Sequence, residues 1–330
     1  MKVVKMGIIG CANIVQRDII RALQNVKNVK LVAIASRDSK KAKNWAEKFN
    51  CEYEKSYDDI IKRRDIDAVY IPLPIGLHKE WVIKAAKHKK HIICEKSLAE
   101  SFMSVKEMVK SCNENNVILY ENFMCDYHPQ HQKILSLISN GKIGDVALFR
   151  GFFGFPPLNE ENFRYQKSLG GGSLNDAGAY PVFMSRKVLQ SEPLSVTCKL
   201  YYDKNYDVDI QGSAYLEFPE NKVALISFGF NNVYQNNYSI WGSAGLINVN
   251  RAYSIPYDMK PPIELVKQDS IKKIEISSAD HFSLIFEDFC SKVLENKKFS
   301  YNSLVSQAKV MEALRISSQE NKKISIKDII

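Results

Sequence analysis

The chain has 330 residues, 45% of them apolar, enough for two domains that each bury a core. Its 46 basic and 37 acidic residues leave a net charge of +9 with no basic arm or run of five and no basic–aromatic interleaving, which argues against nucleic acid and for a solvated surface that attracts phosphate-bearing ligands. Seven cysteines without a Cys-x-x-Cys fit reduced thiols in a cytoplasm rather than a disulfide framework, and no run of about 18 apolar residues offers a membrane span.

The apolar run Val3 to Ile9 predicts a first strand. Ile8-Ile9-Gly10-Cys11 resembles a lipoprotein cleavage box, but Cys11 comes too early and Lys5 interrupts the apolar core, so no signal peptide is expected. The turn Gly10-Cys11-Ala12-Asn13 and an amphipathic helix from Ile14 to Leu23 follow. Strand, tight turn and helix make a dinucleotide-binding unit, in which the backbone approaches a pyrophosphate at the helix N-terminus. In the Gly-x-Gly-x-x-Gly frame, Gly10, Ala12 and Val15 fill the three slots, and an ordinary buried βα unit fits this turn equally well.

The next strand, Leu31 to Ala35, ends in Ser36-Arg37-Asp38, where such a fold reads the adenosine ribose. A leading acid would bind the 2′-hydroxyl of NAD. A hydroxyl followed by arginine suits the 2′-phosphate of NADP, with Ser36 giving a hydrogen bond and Arg37 a charge-assisted one. NADP(H) is therefore preferred, while Asp38 keeps NAD(H) open and Arg37 reads alternatively as a solvated loop residue.

A helix from Lys40 to Phe49, a strand at Tyr53 and a helix from Tyr57 to Lys62 come next. The buried strand Ala68 to Ile71 runs into Pro72-Leu73-Pro74, whose prolines stiffen a loop facing the cofactor crevice. A helix bearing Leu77, Trp81 and Ala85 precedes the strand His91 to Cys94, which delivers Glu95-Lys96-Ser97. The helix Phe102 to Asn115 and a strand from Val117 to Tyr120 complete an alternation that predicts a parallel sheet covered on both faces. The first domain is drawn at residues 1–122, the second at 123–330, with the C-terminal segment free to pack back on the first.

From about Val146 the rhythm changes. Ile210, Gly212, Ala214, Leu216 and Phe218 share one face at a period of two, and Val223 to Phe230 returns after Pro219-Glu220-Asn221. Tyr238 to Trp241 and Leu194 to Tyr202 are further strands of an antiparallel sheet, with helices at Tyr180 to Gln190, His281 to Glu295 and Asn302 to Ser318. His128 and His131 stand beside Asp126, but Pro129 disfavours both projecting from one regular helix, so no metal site is expected.

Two places can carry chemistry. Lys96 lies at the carboxyl end of a strand, where it can hydrogen-bond a substrate oxygen, or else pair at the surface with Glu95 or Glu100. In the run from Leu169 to Tyr180, Gly170-Gly171-Gly172 allows a sharp reversal, and Asp176 and Tyr180 share a face if a helix starts there. A carboxylate can orient a phenol that protonates a carbonyl; alternatively, Asp176 caps the helix and Tyr180 is merely packed. Arg164 and Tyr165, just before the glycines, are candidates to touch a substrate.

Seven segments together carry a resemblance that spans essentially the whole chain: Gly7 to Ala12, Ala35 to Asp38, Ile71 to His78, Cys94 to Ala99, Phe123 with His128-Pro129, Gly170 to Tyr180, and Trp241 to Gly245. As a set they resemble the Gfo/Idh/MocA oxidoreductases. The resemblance implies an α/β Rossmann domain followed by an α+β domain with a large, mostly antiparallel, open-faced sheet, which in many members pairs subunits into homodimers or homotetramers. It implies cofactor contacts from Gly10, Cys11, Ala12, Asn13, Ile14, Ser36, Arg37, Leu73, Pro74, His78, Glu95 and Lys96. It also implies catalysis by Lys96, Tyr180 and Asp176, and substrate contacts from Asn175 and Tyr180 beside Arg164 and Tyr165. Tyr180 stands where inositol dehydrogenase-like members carry histidine, nearer the glucose–fructose oxidoreductase and deoxysugar ketoreductase side. Ser97 departs from the proline that usually follows the lysine; it could hold a similar turn by local hydrogen bonding or loosen the aim of Lys96.

The expectation is a cytoplasmic NADP(H)-dependent oxidoreductase moving a hydride to or from a sugar carbonyl, with a nucleotide-linked keto-deoxysugar as substrate and neither nucleic acid nor membrane as partner. A trans-dihydrodiol or D-xylose dehydrogenase is the alternative within the class, and a non-catalytic NADP-binding regulator the one outside it.

Overall fold

The computed structural model describes residues 2–330, which form two compact units. The first comprises residues up to Met124 together with Asp280–Val305; the second comprises Cys125–Ala279 and Ser306–Ile330. Among the described residues no helix is long and apolar enough to cross a membrane.

In the first unit the elements are β1 (Val4–Ile9), α1 (Ile20–Asn25), β2 (Val29–Ala35), α2 (Ser39–Phe49), β3 (Glu52–Glu54), α3 (Tyr57–Lys62), β4 (Ala68–Ile71), α4 (Ile75–Lys87), β5 (His91–Cys94), α5 (Phe102–Asn115) and β6 (Leu119–Glu121). Six parallel strands lie in the order β3-β2-β1-β4-β5-β6. Strand order reverses between β1 and β4, so their carboxyl ends border the switch-point crevice where such sheets bind ligands. β4 is buried along its whole length, which explains its unbroken apolar sequence. Short polar side chains start the helices: Asp38 accepts from Lys41 N at 3.1 Å, Ser56 from Asp59 N at 3.1 Å and Ser101 from Ser104 N at 3.2 Å. One expected helix differs in detail. Val15–Ile19 forms a wide π-type turn before α1, so the amphipathic run is not uniformly α-helical.

The second unit carries α6 (Pro129–Ser139), β7 (Val146–Gly154), α7 (Ala179–Leu189), β8 (Ser195–Tyr202), β9 (Asp209–Glu217), β10 (Val223–Gly229), β11 (Gln235–Gly242), β12 (Gly245–Val249), β13 (Ile263–Lys267), β14 (Ser270–Ile274) and β15 (Ile324–Ser325). The nine strands lie in the order β14-β13-β12-β11-β7-β10-β9-β8-β15. All neighbours are antiparallel except β7 and β10, which run parallel. The expected inward face of β9 is inward: Ile210, Ala214, Leu216 and Phe218 are buried, while Tyr215 on the other face is exposed. β7, β12, β13, β14 and β15 were not predicted. In β7 Phe149, Gly151 and Phe153 point inward and Leu148 and Phe152 outward, so apolar residues on both faces hide the alternation.

His128 and His131 have structural roles in α6. His128 caps it by accepting from Gln130 N. The His131 ring lies 2.8 Å from the Tyr238 hydroxyl and 3.0 Å from the Ala252 carbonyl.

Candidate active site

In the first unit, Gly10 ends β1 with φ +120°, and its N–H donates to the Ala35 carbonyl at 2.9 Å. A β-carbon there would stand 2.8 Å from Leu73 Cδ2. The first glycine slot is thus fixed by both backbone and neighbour, and it brings the Leu73 loop against the turn. Ile14, at the start of the following helical turn, supplies no side-chain cap, which suits an anion at that N-terminus.

At the end of β2, Ser36 is buried, accepts from Asp38 N at 3.2 Å and hydrogen-bonds the Cys11 thiol. Burial pushes that thiol up, opposed by Ser36 and the charge of Lys41. Asp38 caps α2, so its carboxylate is engaged within its own turn. Arg37 is exposed and bonds the Tyr57 hydroxyl. A cradle too tight for a β-carbon, followed by a hydroxyl and a guanidinium with the nearby acid occupied, fits a dinucleotide carrying a 2′-phosphate.

Glu95 at the end of β5 accepts from the Tyr70 hydroxyl at 2.6 Å and from Asn122 Nδ2 at 2.5 Å. Burial pushes this carboxyl up, and the two bonds and the charge of half-buried Lys96 oppose it. The Lys96–Ser97 peptide bond is cis. The Ser97 carbonyl lies 2.9 Å from His78 Nδ1, and Leu98 N donates to Glu121 Oε1 at 3.0 Å. The turn bearing Lys96 is held from α4 and β6, without proline.

His78, expected among the cofactor contacts, is 0% exposed, with Nε2 2.7 Å from the Leu73 carbonyl and Nδ1 on Ser97. Both ring nitrogens meet backbone, so its role is to tie the Leu73 loop to the Lys96 turn. Burial lowers its pKa to about 4, against the pull of the carbonyls.

In the second unit, Leu174–Gly178 is a π-type turn leading into α7, and Asp176 and Tyr180 lie on this helix start. Asp176 is gripped by Arg164, whose Nε donates to Oδ2 at 2.6 Å and Nη2 to Oδ1 at 3.3 Å. The glycine run makes this grip geometrically feasible. A β-carbon on Gly171 would come within 2.5 Å of the Arg164 carbonyl, and Gly172 N donates to that same oxygen at 2.9 Å. Asn175 donates to the Gly170 and Gly171 carbonyls at 3.2 and 3.3 Å and accepts from Arg315 at 2.7 Å. Tyr165 is buried, stacks on Tyr206 at 4.5 Å and accepts from Leu158 N at 3.0 Å. Tyr180 packs edge-on against Phe153 at 5.1 Å and near Tyr253 at 5.7 Å.

One residue escaped sequence reasoning. Asp209, at the start of β9, accepts from Ser173 Oγ and Leu174 N, both at 2.7 Å, and anchors the turn that carries Asp176. Burial pushes its carboxyl up, opposed chiefly by the bond from Ser173. In sequence it is an ordinary strand-edge acid just after the polar stretch Asp203 to Asp207, with no signal that sets it apart.

The segment 4–123 matches the family model described as "Oxidoreductase family, NAD-binding Rossmann fold", and 131–248 matches the GFO/IDH/MocA C-terminal domain. The chain belongs to the Gfo/Idh/MocA family of oxidoreductases. Among curated relatives of this Gfo/Idh/MocA member, the dTDP-3,4-didehydro-2,6-dideoxy-alpha-D-glucose 3-reductase of Actinomadura kijaniata is 32% identical over 320 residues, 96% of each chain. The trans-1,2-dihydrobenzene-1,2-diol dehydrogenase of Xenopus tropicalis is 32% identical over 276 residues, 82% of this chain and 81% of that one. A solved 3-ketoreductase from Actinomadura kijaniata, in complex with NADP and TDP-benzene, superposes with a TM-score of 0.93 at 31% identity, covering 96% of this chain and 98% of that one.

Proposed function

We propose that this family member is an NADP(H)-dependent ketoreductase acting on a nucleotide-linked keto-deoxysugar. The observation that carries the reading is the similarity of the chain, throughout its length, to dTDP-sugar 3-reductases, with a Ser36–Arg37 pair whose neighbouring acid is occupied in one unit and a Tyr180–Asp176 helix start in the other. Arg37 and Ser36 hold the 2′-phosphate, and the turn from Gly10 to Ile14 receives the pyrophosphate. Bound NADPH supplies the hydride. Lys96 donates a hydrogen bond to the substrate carbonyl oxygen and stabilises the charge that develops there. Tyr180 gives its proton to that oxygen, and Asp176 fixes the helix start from which Tyr180 acts. We further propose a cytoplasmic homo-oligomer paired through the open face of the nine-stranded sheet, where Tyr201 and Trp241 are 60% and 61% exposed.

The test is a fluorescence titration with NADPH and NADH, followed by turnover with a dTDP-linked keto-deoxysugar. NADPH is expected to bind more tightly by about tenfold or more, an advantage lost in Arg37→Ala. Lys96→Ala and Tyr180→Phe are expected to lose about 100-fold or more in kcat with NADPH binding unchanged. Full activity in both variants would refute the mechanism. Turnover only with a trans-dihydrodiol or D-xylose would shift the reading to the dehydrogenases, and NADPH binding without turnover on either panel would leave a regulator.

A further inference from the structure

Glu95 leaves β5 at the carboxyl end of the first sheet, between two strands that both reach it. Its N–H donates to the Ile71 carbonyl of β4 at 3.0 Å, and Asn122 N, just past β6, donates to the Cys94 carbonyl at 2.8 Å. The backbone on both sides thus fixes where the side chain starts. β4 then sends the Tyr70 hydroxyl, and the end of β6 sends Asn122 Nδ2, to the same carboxylate oxygen, Oε1, at 2.6 and 2.5 Å. The Lys96 backbone N–H is a further donor to this carboxylate.

Tyr70 and Asn122 are each 0% exposed, while Glu95 itself is half-buried. The Tyr70 ring packs edge-on against Phe286 at 5.6 Å, so its hydroxyl cannot swing away. Burial, and then the Glu95 charge, push that hydroxyl well up, which keeps it a donor. An O–H···O contact of 2.6 Å has the length of a bond to an ionised acceptor. Asn122 turns its donor to Glu95 although its own Oδ1 lies buried without a partner among the described residues. With two donors on Oε1, that oxygen has no place for a proton of its own. Burial works against the charge, but the bonds from Tyr70 and Asn122 are the chief opposition, ahead of the charge of Lys96.

We propose that Tyr70 and Asn122 are positioning residues that hold the Glu95 carboxylate next to Lys96, where its negative charge offsets the ammonium and favours the oxidised, cationic form of the bound cofactor over the reduced form. The inference rests on the place proposed above for Lys96, at the carbonyl that exchanges hydride with the cofactor. The nicotinamide ring carries a positive charge in NADP⁺ and none in NADPH. An ammonium at that end of the site repels the first and leaves the second unaffected. A carboxylate on the adjoining residue acts in the opposite sense, and across several Å of protein one such charge changes relative affinity by about tenfold. Glu95 transfers nothing in this role; it supplies a fixed charge, and Tyr70 and Asn122 keep it in place.

The test compares the dissociation constants of NADP⁺ and NADPH in the full-length protein, the reduced form by its fluorescence and the oxidised form by competition against it. Glu95→Gln keeps the outline of the side chain and removes the charge, so the ratio of Kd for NADP⁺ to Kd for NADPH is expected to rise about tenfold. Tyr70→Phe and Asn122→Leu each take one donor from the carboxylate, and are expected to raise the ratio about two- to fivefold. Tyr70→Phe should add nothing further in the Glu95→Gln background, because it acts through the carboxylate. A merely structural role would weaken both forms alike and leave the ratio in place. Should Asn122→Leu fail to fold, Tyr70→Phe, which removes a single oxygen, carries the comparison. An unmoved or lowered ratio in Glu95→Gln would overturn the inference, as would a Tyr70→Phe shift that persists in the Glu95→Gln background. Lost turnover in Lys96→Ala with an unmoved ratio in Glu95→Gln would sink the inference alone. Full turnover in Lys96→Ala with a raised ratio in Glu95→Gln would sink the proposed role of Lys96 and leave the Glu95 result standing.

Discussion

Asp209→Ala removes the acceptor on which the start of α7 rests. Both bonds to Oδ2 are 2.7 Å long, and both donors, the Ser173 hydroxyl and the Leu174 amide, sit in buried residues. Leaving each donor unpaired away from water costs about 1–3 kcal/mol, so the two together amount to about 2–6 kcal/mol. In a unit of roughly 180 residues each kcal/mol lowers Tm by about 2–4 °C, which predicts a loss of about 5–20 °C by scanning fluorimetry. Asp209→Asn keeps the outline and one acceptor oxygen. It also removes a charge whose carboxyl pKa burial has pushed up, so ionisation at neutral pH works against the fold, and its loss should stay under about 2 kcal/mol. The two variants should also rank in kcat, with Asn above Ala, because Asp176 and Tyr180 follow the anchored turn. A Tm for Asp209→Ala within about 2 °C of wild type would refute the reasoning, since it would mean that water or a shifted backbone already satisfies those donors.

Gly10→Ala forces a side chain onto φ +120° and against Leu73 at 2.8 Å, and is expected to weaken NADPH binding at least about tenfold; an unchanged Kd would show that the turn does not approach the cofactor. Gly171→Ala sets a β-carbon 2.5 Å from a backbone oxygen that cannot step aside, so it should lower kcat without changing a charge, and wild-type kcat would count against the close approach. His78 gives a pH dependence: its folded pKa of about 4 lies below the ordinary histidine value of 6.5, so between these values the unfolded chain binds a proton that the folded chain refuses. Stability attributable to His78 is therefore intact above about pH 6.5 and falls by up to about 3 kcal/mol as pH drops towards 4. Tm of His78→Asn should decline less steeply than wild type from pH 7 to 5, and parallel curves would refute the assignment.

Much of the first unit was legible because its signals are local. β4 is buried on both faces and reads as an unbroken apolar run, and Phe102 to Asn115 shows its stripe within a few turns. Ser36 and Arg37 could be placed because their position is counted from a single turn. β7 escaped because both of its faces carry large apolar side chains, and the three short strands β12, β13 and β14 give little periodicity to count.

The sequence by itself determined the two-part architecture and the dinucleotide turn, since each depends on residue type and spacing along a short stretch, while Lys96, Asp176 and Tyr180 stood out as candidates through the resemblance to the family. Only the tertiary structure decided what those residues lean on. Folding brings Asp209 to Ser173, closes Arg164 on Asp176 across a glycine run, and ties the Leu73 loop to the Lys96 turn through His78. These contacts join different elements, and hydrogen bonds between buried groups carry no signature in the local pattern of either partner.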